Sequence, residues 1–230
     1  MASPALVARA LRAVLDGETP EPAAAPALAA LAEAGLVVET EAGWRPGPAI
    51  ARYARREAAH AALLEAAEPV LRRLAEETGE TANLVIPTAG GTESIAQRDG
   101  RHLLGATNWI GRPLPLHCTA AGKVFLAFGV SALPDGPLAA TAPAAVTDRD
   151  QLERELARVR EDGYATIVDE LEEGLSAAGA PVRDATGAIV AAITVAGATL
   201  RLPAARLRTL ARLTLEQAQA VPLDAIGTLR

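Results

Sequence analysis

The chain has 230 residues and a formal net charge of -6; half of it is hydrophobic and only 3% is aromatic. That length suits one large domain or two small ones with a core of Ala, Leu and Val. The acidic balance argues against attachment to nucleic acid through overall charge, while a local basic surface stays open. One cysteine excludes an internal disulfide and leaves no material for a Cys/His metal cluster. No run of about 18 apolar residues is present to span a membrane. The opening MASPALVARALRAVLDG lacks an apolar leader core, so a cytoplasmic protein is expected.

Leu6, Val7, Ala10, Leu11, Val14 and Leu15 recur on one face and predict a helix over 4–16, with Ser3 as N-cap and Gly17 beyond its end. The stretch ETPEPAAAP is rich in helix breakers and predicts a turn. ALAALAEA predicts a second helix closed by Gly35. LVVET and GWRPG predict a hairpin around Glu41-Ala42-Gly43. Two helices and a hairpin form the skeleton of a winged helix. An Arg/Ala/Glu-rich linker helix is expected over 49–65, carrying Arg52, Arg55 and Arg56, and a separate helix over 68–79.

Period-two patterns follow. TANLVIP, TESIAQR and HLLGATN predict strands parted by turns at Ala89-Gly90-Gly91 and Asp99-Gly100. In PLPLHCTAAGKVFLAFG, Thr119 is the expected cap of a helix over 120–128, with Gly122 allowing close approach to the sheet and Lys123 leaning outward. Thr147-Asp148-Arg149-Asp150 is a partial capping box, with Thr147 as the cap and Asp150 in place of Glu, and starts a helix that Gly163 ends. YATIV, LSAAGAPV and AIVAAITVAG predict three strands, and 204–220 a last amphipathic helix. The fold class expected is α+β: a sheet with helices at its flanks.

Candidate chemistry is thin. A phosphate loop needs a Gly separated by four residues from Gly-Lys and a hydroxyl after it; here His117 and Val124 stand in those places. Cys118 as a nucleophile needs a base in space, and His117 beside it in an extended segment faces the other way. The simpler reading is a buried small thiol. Asp169, Glu170, Glu172 and Glu173 read as a solvated acidic turn; the alternatives are one carboxylate facing a pocket, or a metal site, which the lack of a His nearby in sequence disfavours. No catalytic residue, metal ligand or cofactor motif is expected. The start of the helix at Thr119, facing a sheet, makes an anion or small-ligand pocket.

PLHCTAAGKVFLAF, with GYATIVDELEEGLSAAGAPVRDATGAIVAAITVAG after it, resembles the effector domain of the IclR family of transcriptional regulators. GWRPGPAI and the Arg-rich helix resemble that family's wing and linker. The resemblance implies a winged helix-turn-helix for DNA over 1–48, a linker helix over 49–66 for dimerisation, and a GAF-like effector-binding domain over 67–230. It implies a dimer through head and linker, and a tetramer through the sensor domains as the alternative. Carried over position by position, the effector site would comprise Leu103, Ala106, Leu114, Ala120, Ala121, Ile167, Leu175, Ala177, Thr194 and Ala196. In relatives that take small carboxylic acids, the places of Ile167, Ala177 and Ala196 tend to be polar. Here Thr194 alone keeps a hydroxyl, so an apolar or aromatic metabolite is expected.

The head departs from the family pattern. The piece between Leu15 and Gly35 is too short for two helices. AAAPALAALAEAG, in the place of the recognition helix, has no Arg, Lys, Asn, Gln, Ser or Thr to read base edges. The arginines nearest to hand for DNA are Arg9, Arg12 and Arg45. Two functions stay open: a ligand-responsive transcription regulator, or a ligand-binding or interaction protein with a decayed DNA-binding head. An enzyme using Cys118 is a distant third.

Overall fold

The computed structural model describes residues 2–102 and 107–222. The chain divides into two compact units, 1–61 and 62–230.

In the first unit, helix α1 (Pro4–Leu15) begins on Ser3, whose Oγ accepts the Leu6 N–H at 3.3 Å. Helix α2 (Ala25–Glu33) follows a single 3-10 turn at Pro22–Ala24. Strands β1 (Val37–Thr40) and β2 (Gly43–Pro46) pair antiparallel as the wing hairpin. Ala10, Val14, Leu28, Leu31 and Val37 make the small core. Among the described residues two α-helices precede the hairpin, as the shortness of 15–35 requires.

Helix α3 runs unbroken over Pro48–Thr78, with Pro69 inside it. This corrects the expectation of two separate helices. Pro69 has no N–H to give the Glu65 carbonyl, a real loss. Yet Leu63, Ala67, Val70, Leu71 and Leu74 form one buried stripe that crosses the proline, and this packing carries the helix through.

The second unit is built on a six-stranded antiparallel sheet in the order β5-β4-β3-β8-β7-β6. The strands are β3 (Thr81–Thr88), β4 (Gly91–Arg98), β5 (Pro113–Leu114), β6 (Ala165–Val168), β7 (Leu175–Arg183) and β8 (Ile189–Ala198). Of the strand expected over 102–108, residues 103–106 lie outside the described residues; Thr107 and Asn108 are not in a strand. Alternation along the strands sorts the side chains. Ala82, Leu84 and Ile86 of β3, Ala178, Ala180 and Val182 of β7, and Ala191, Ile193 and Val195 of β8 go to one face. There they meet α3 and the C-terminal helix α6 (Ala204–Gln219). The other face meets α4 (Ala120–Ala127) and α5 (Arg149–Asp162). Asp148 caps α5 by accepting the Gln151 N–H at 2.7 Å, and Gly163 ends it at φ 80°.

Candidate functional site

The second unit's α4 face is not fully filled. Between the sheet and the start of α4, a cavity of about 50 Å³ remains. Its floor comes from alternate strand positions: Asn83 and Val85 of β3, Thr92 and Ser94 of β4, Thr194 and Ala196 of β8. Ile167, Leu175 and Ala177 continue it from β6 and β7, and Thr119, Ala120 and Ala121 close it from the start of α4. Leu114, Trp109 and Leu171 complete the lining.

All eight of the expected effector residues within the described part (Leu114, Ala120, Ala121, Ile167, Leu175, Ala177, Thr194 and Ala196) stand on this one cavity. Leu103 and Ala106 lie outside the described residues. Sequence reasoning misses Asn83, Thr92, Ser94 and Thr119, so Thr194 is not alone in offering a polar group. The signal was present: TANLVIP as a strand puts Asn83 and Val85 on one side, and Asn83 pairs directly with Thr194 across β8.

Thr119 is committed to structure. Its hydroxyl donates to the Pro115 carbonyl at 2.8 Å and accepts the Gly122 N–H at 3.2 Å, which fixes the start of α4 at the cavity. Gly122 serves a different contact from the one expected. A Cβ there would overlap the Leu116 carbonyl oxygen, so it packs on its own preceding turn. Gly179 of β7 is where sheet and helix come together, since its Cβ would lie 3.0 Å from Ala120. Asn83 is 3% exposed, and its Oδ1 has no hydrogen-bond partner among the described residues.

Lys123 does not lean outward. It is 2% exposed, and its Nζ lies 2.6 Å from Glu155 Oε2, 2.8 Å from Glu170 Oε1 and 2.6 Å from Glu170 Oε2. Only Oε1 of Glu170 is aligned as an acceptor; Oε2 is held by charge alone. Glu170 is thereby no solvated turn residue. Burial pushes its carboxyl above the ordinary range, opposed by the Lys123 ammonium. This pair fastens the 169–174 loop, from which Leu171 reaches the cavity. Asp169, at φ 58°, fastens the same loop by accepting from the Thr199 hydroxyl at 2.6 Å and the Gly174 N–H at 2.9 Å. Thr141 adds a hydroxyl to the Glu170 carbonyl at 2.7 Å.

Cys118 is fully buried, and burial pushes its thiol upward, which suits a packing residue and not a nucleophile. The His117 Nε2 is engaged with the Ala139 carbonyl at 2.9 Å. A larger groove of about 280 Å³ lies elsewhere, between Phe128, Gly163, Arg183 and Leu215. Its guanidinium, from Arg183, is occupied with the Gly187 carbonyl at 2.9 Å and the Phe128 ring at 5.1 Å. No buried orphan polar atom lines it among the described residues, whereas one lines the smaller cavity. The smaller cavity is therefore the better candidate.

The chain matches the family described as bacterial transcriptional regulator IclR, C-terminal, over residues 56–223. The chain belongs to the IclR family. It is 32% identical over 181 residues to the HTH-type transcriptional regulator BhcR of Paracoccus denitrificans, covering 76% of this chain and 65% of that protein. It is 33% identical over 162 residues to the HTH-type transcriptional regulator XynR of Escherichia coli, covering 68% and 64%. The chain thus spans just under two thirds of these relatives' length. The crystal structure of an IclR transcriptional regulator from Silicibacter superposes with a TM-score of 0.64 at 26% identity, over 91% of this chain and 84% of that one. The Thermotoga maritima IclR shares the fold at a TM-score of 0.64 and 23% identity, over 91% and 87%. The α+β fold and the IclR resemblance read from the sequence both hold.

In the head of this IclR member, Ala27, Leu28 and Leu31 of α2 turn inward, which leaves Ala25, Pro26, Ala29, Ala30 and Glu33 outward. That surface holds no donor for a base edge or a phosphate. Arg9 and Arg12 are exposed on α1, and Arg45 on β2; Arg9 lies 3.4 Å from Glu21.

Proposed function

We propose that this chain is a transcription regulator that senses a small molecule in the cavity between α4 and the sheet. One observation carries the reading: a cavity bounded by a helix start and by buried polar side chains, in an IclR-family fold. The effector residues are the eight named above together with Asn83, Thr92 and Ser94. Ligand binding favours the conformer it fits and so alters the arrangement of DNA-reading heads. No bond is made or broken. The residues serve as a head over 1–48, a linker over 49–66 and a sensor over 67–230, in a cytoplasmic homodimer or tetramer.

The expected aromatic ligand gives way to a smaller one. A cavity of about 50 Å³ is well below the roughly 150 Å³ that accommodates benzene in an engineered core. Among its described lining residues none is charged, so a carboxylate would lose hydration without a counter-ion.

A second reading has its own observation. The methyl-covered outer face of α2 favours a ligand-binding or interaction protein whose head no longer reads an operator. A gel-shift with the DNA upstream of its own gene, at two salt concentrations, separates the two. Specific retention that weakens steeply with salt supports the regulator, through Arg9, Arg12 and Arg45 on phosphates. No retention at low salt supports the second reading. Light scattering reports the oligomer.

A further inference from the structure

Three sites outside the settled fold invite a function: the Arg183 groove, the Lys123 cluster and the unpartnered Asn83. Arg183 already has two partners, and the Lys123 cluster is closed on itself. Asn83 is different. Its Oδ1 is buried in the cavity wall with no donor facing it among the described residues, although a buried orphan acceptor is costly.

From this we infer that the cavity selects an uncharged, short-chain carboxamide, held edge to edge by the Asn83 amide. This rests on the cavity being the effector site. A side-chain amide presents one acceptor and one donor in a common plane. A primary carboxamide presents the complementary pair, so two parallel hydrogen bonds form at once. Exchanging the oxygen and nitrogen of Asn83 leaves the same complement. Elsewhere in the lining, Ile167, Leu171, Leu175, Ala177 and Ala196 are apolar and take the alkyl end. A carboxylate of the same shape has no cation among the described lining residues. Lys123, in the first turns of α4, is already bound to Glu155 and Glu170.

Acetamide and acetate have nearly the same shape, are smaller than benzene and differ in charge, and calorimetry of the full chain with each is the test. The amide binds at least about tenfold tighter, the difference set by one unsatisfied polar contact. Asn83→Val loses that preference, and Asn83→Ser, checked by thermal melting, stands in if the first variant does not fold. Ala196→Leu, which fills the cavity, abolishes amide binding. Equal or tighter binding of acetate overturns the carboxamide class; if Ala196→Leu abolishes that binding too, the cavity stays the effector site. Amide binding that survives Ala196→Leu overturns both the class and the site. No binding of the amide at all overturns the class, and the gel-shift then judges the regulator reading by itself.

Discussion

The two faces of the six-stranded sheet are made from the same strands, yet they differ in chemistry. Toward α3 and α6 the strands present Ala, Leu, Ile and Val, which join one apolar cluster. Toward α4 the same strands present Asn83, Thr92, Ser94 and Thr194, and beside them α4 buries a lysine between two glutamates. One face supplies stability. The other gives up close packing and apolar uniformity to keep a cavity whose lid loop is fastened by charge.

The sharpest way to break this contrast is Lys123→Met. It leaves Glu170 and Glu155 without their cation, and unfolding is expected to become easier by about 3–5 kcal/mol in urea titrations. Pairing it with Glu170→Leu restores much of the loss; if the double variant is no better than the single one, the ion pair is not what holds α4 to the 169–174 loop. On the face toward α3 and α6, Leu84→Ala leaves a void and costs about 2–5 kcal/mol, with no effect on ligand preference.

Titration comes next in size. The Glu170 carboxyl is raised in the folded state, so between the ordinary carboxylate range and that higher value the native chain holds a proton that the unfolded chain has released. Its contribution is therefore full at low pH and fades as pH rises through the folded value, by at most about 1.4 kcal/mol per pH unit. Melting curves across pH follow that decline, and Glu170→Gln flattens it. A wild-type profile unchanged by Glu170→Gln removes the carboxyl from the account. Smallest of all, Asn83→Val without ligand melts no lower than wild type and gains up to about 1 kcal/mol, because an unsatisfied acceptor is removed. A loss of stability there would mean that Asn83 serves the fold before it serves a ligand.

Much was legible in the residues. Ser3 and Thr119 each cap the helix expected of them, Asp148 caps α5 one residue after the Thr147 of the expected capping box, and Gly35 and Gly163 end theirs with positive φ. The strands TANLVIP, LSAAGAPV and AIVAAITVAG lie where their period places them. The absence of polar side chains from the outer face of α2, Glu33 apart, is plain at the level of composition. Errors arise where local and distant preferences compete. Pro69 argues for a break that the stripe from Leu63 to Leu74 overrides. Lys123, a residue type usually solvated, reads as outward because its partners lie 32 and 47 residues away.

The sequence by itself determined the elements, their caps and which side chains share a face, because these follow from contacts within a few residues. Family membership was also written in local motifs. Tertiary structure alone decided that α4 and the sheet stop short of full contact around Asn83, and that a buried lysine and Glu170 meet. Both depend on where strands far apart in the chain bring their side chains, and no local pattern encodes the space left between them.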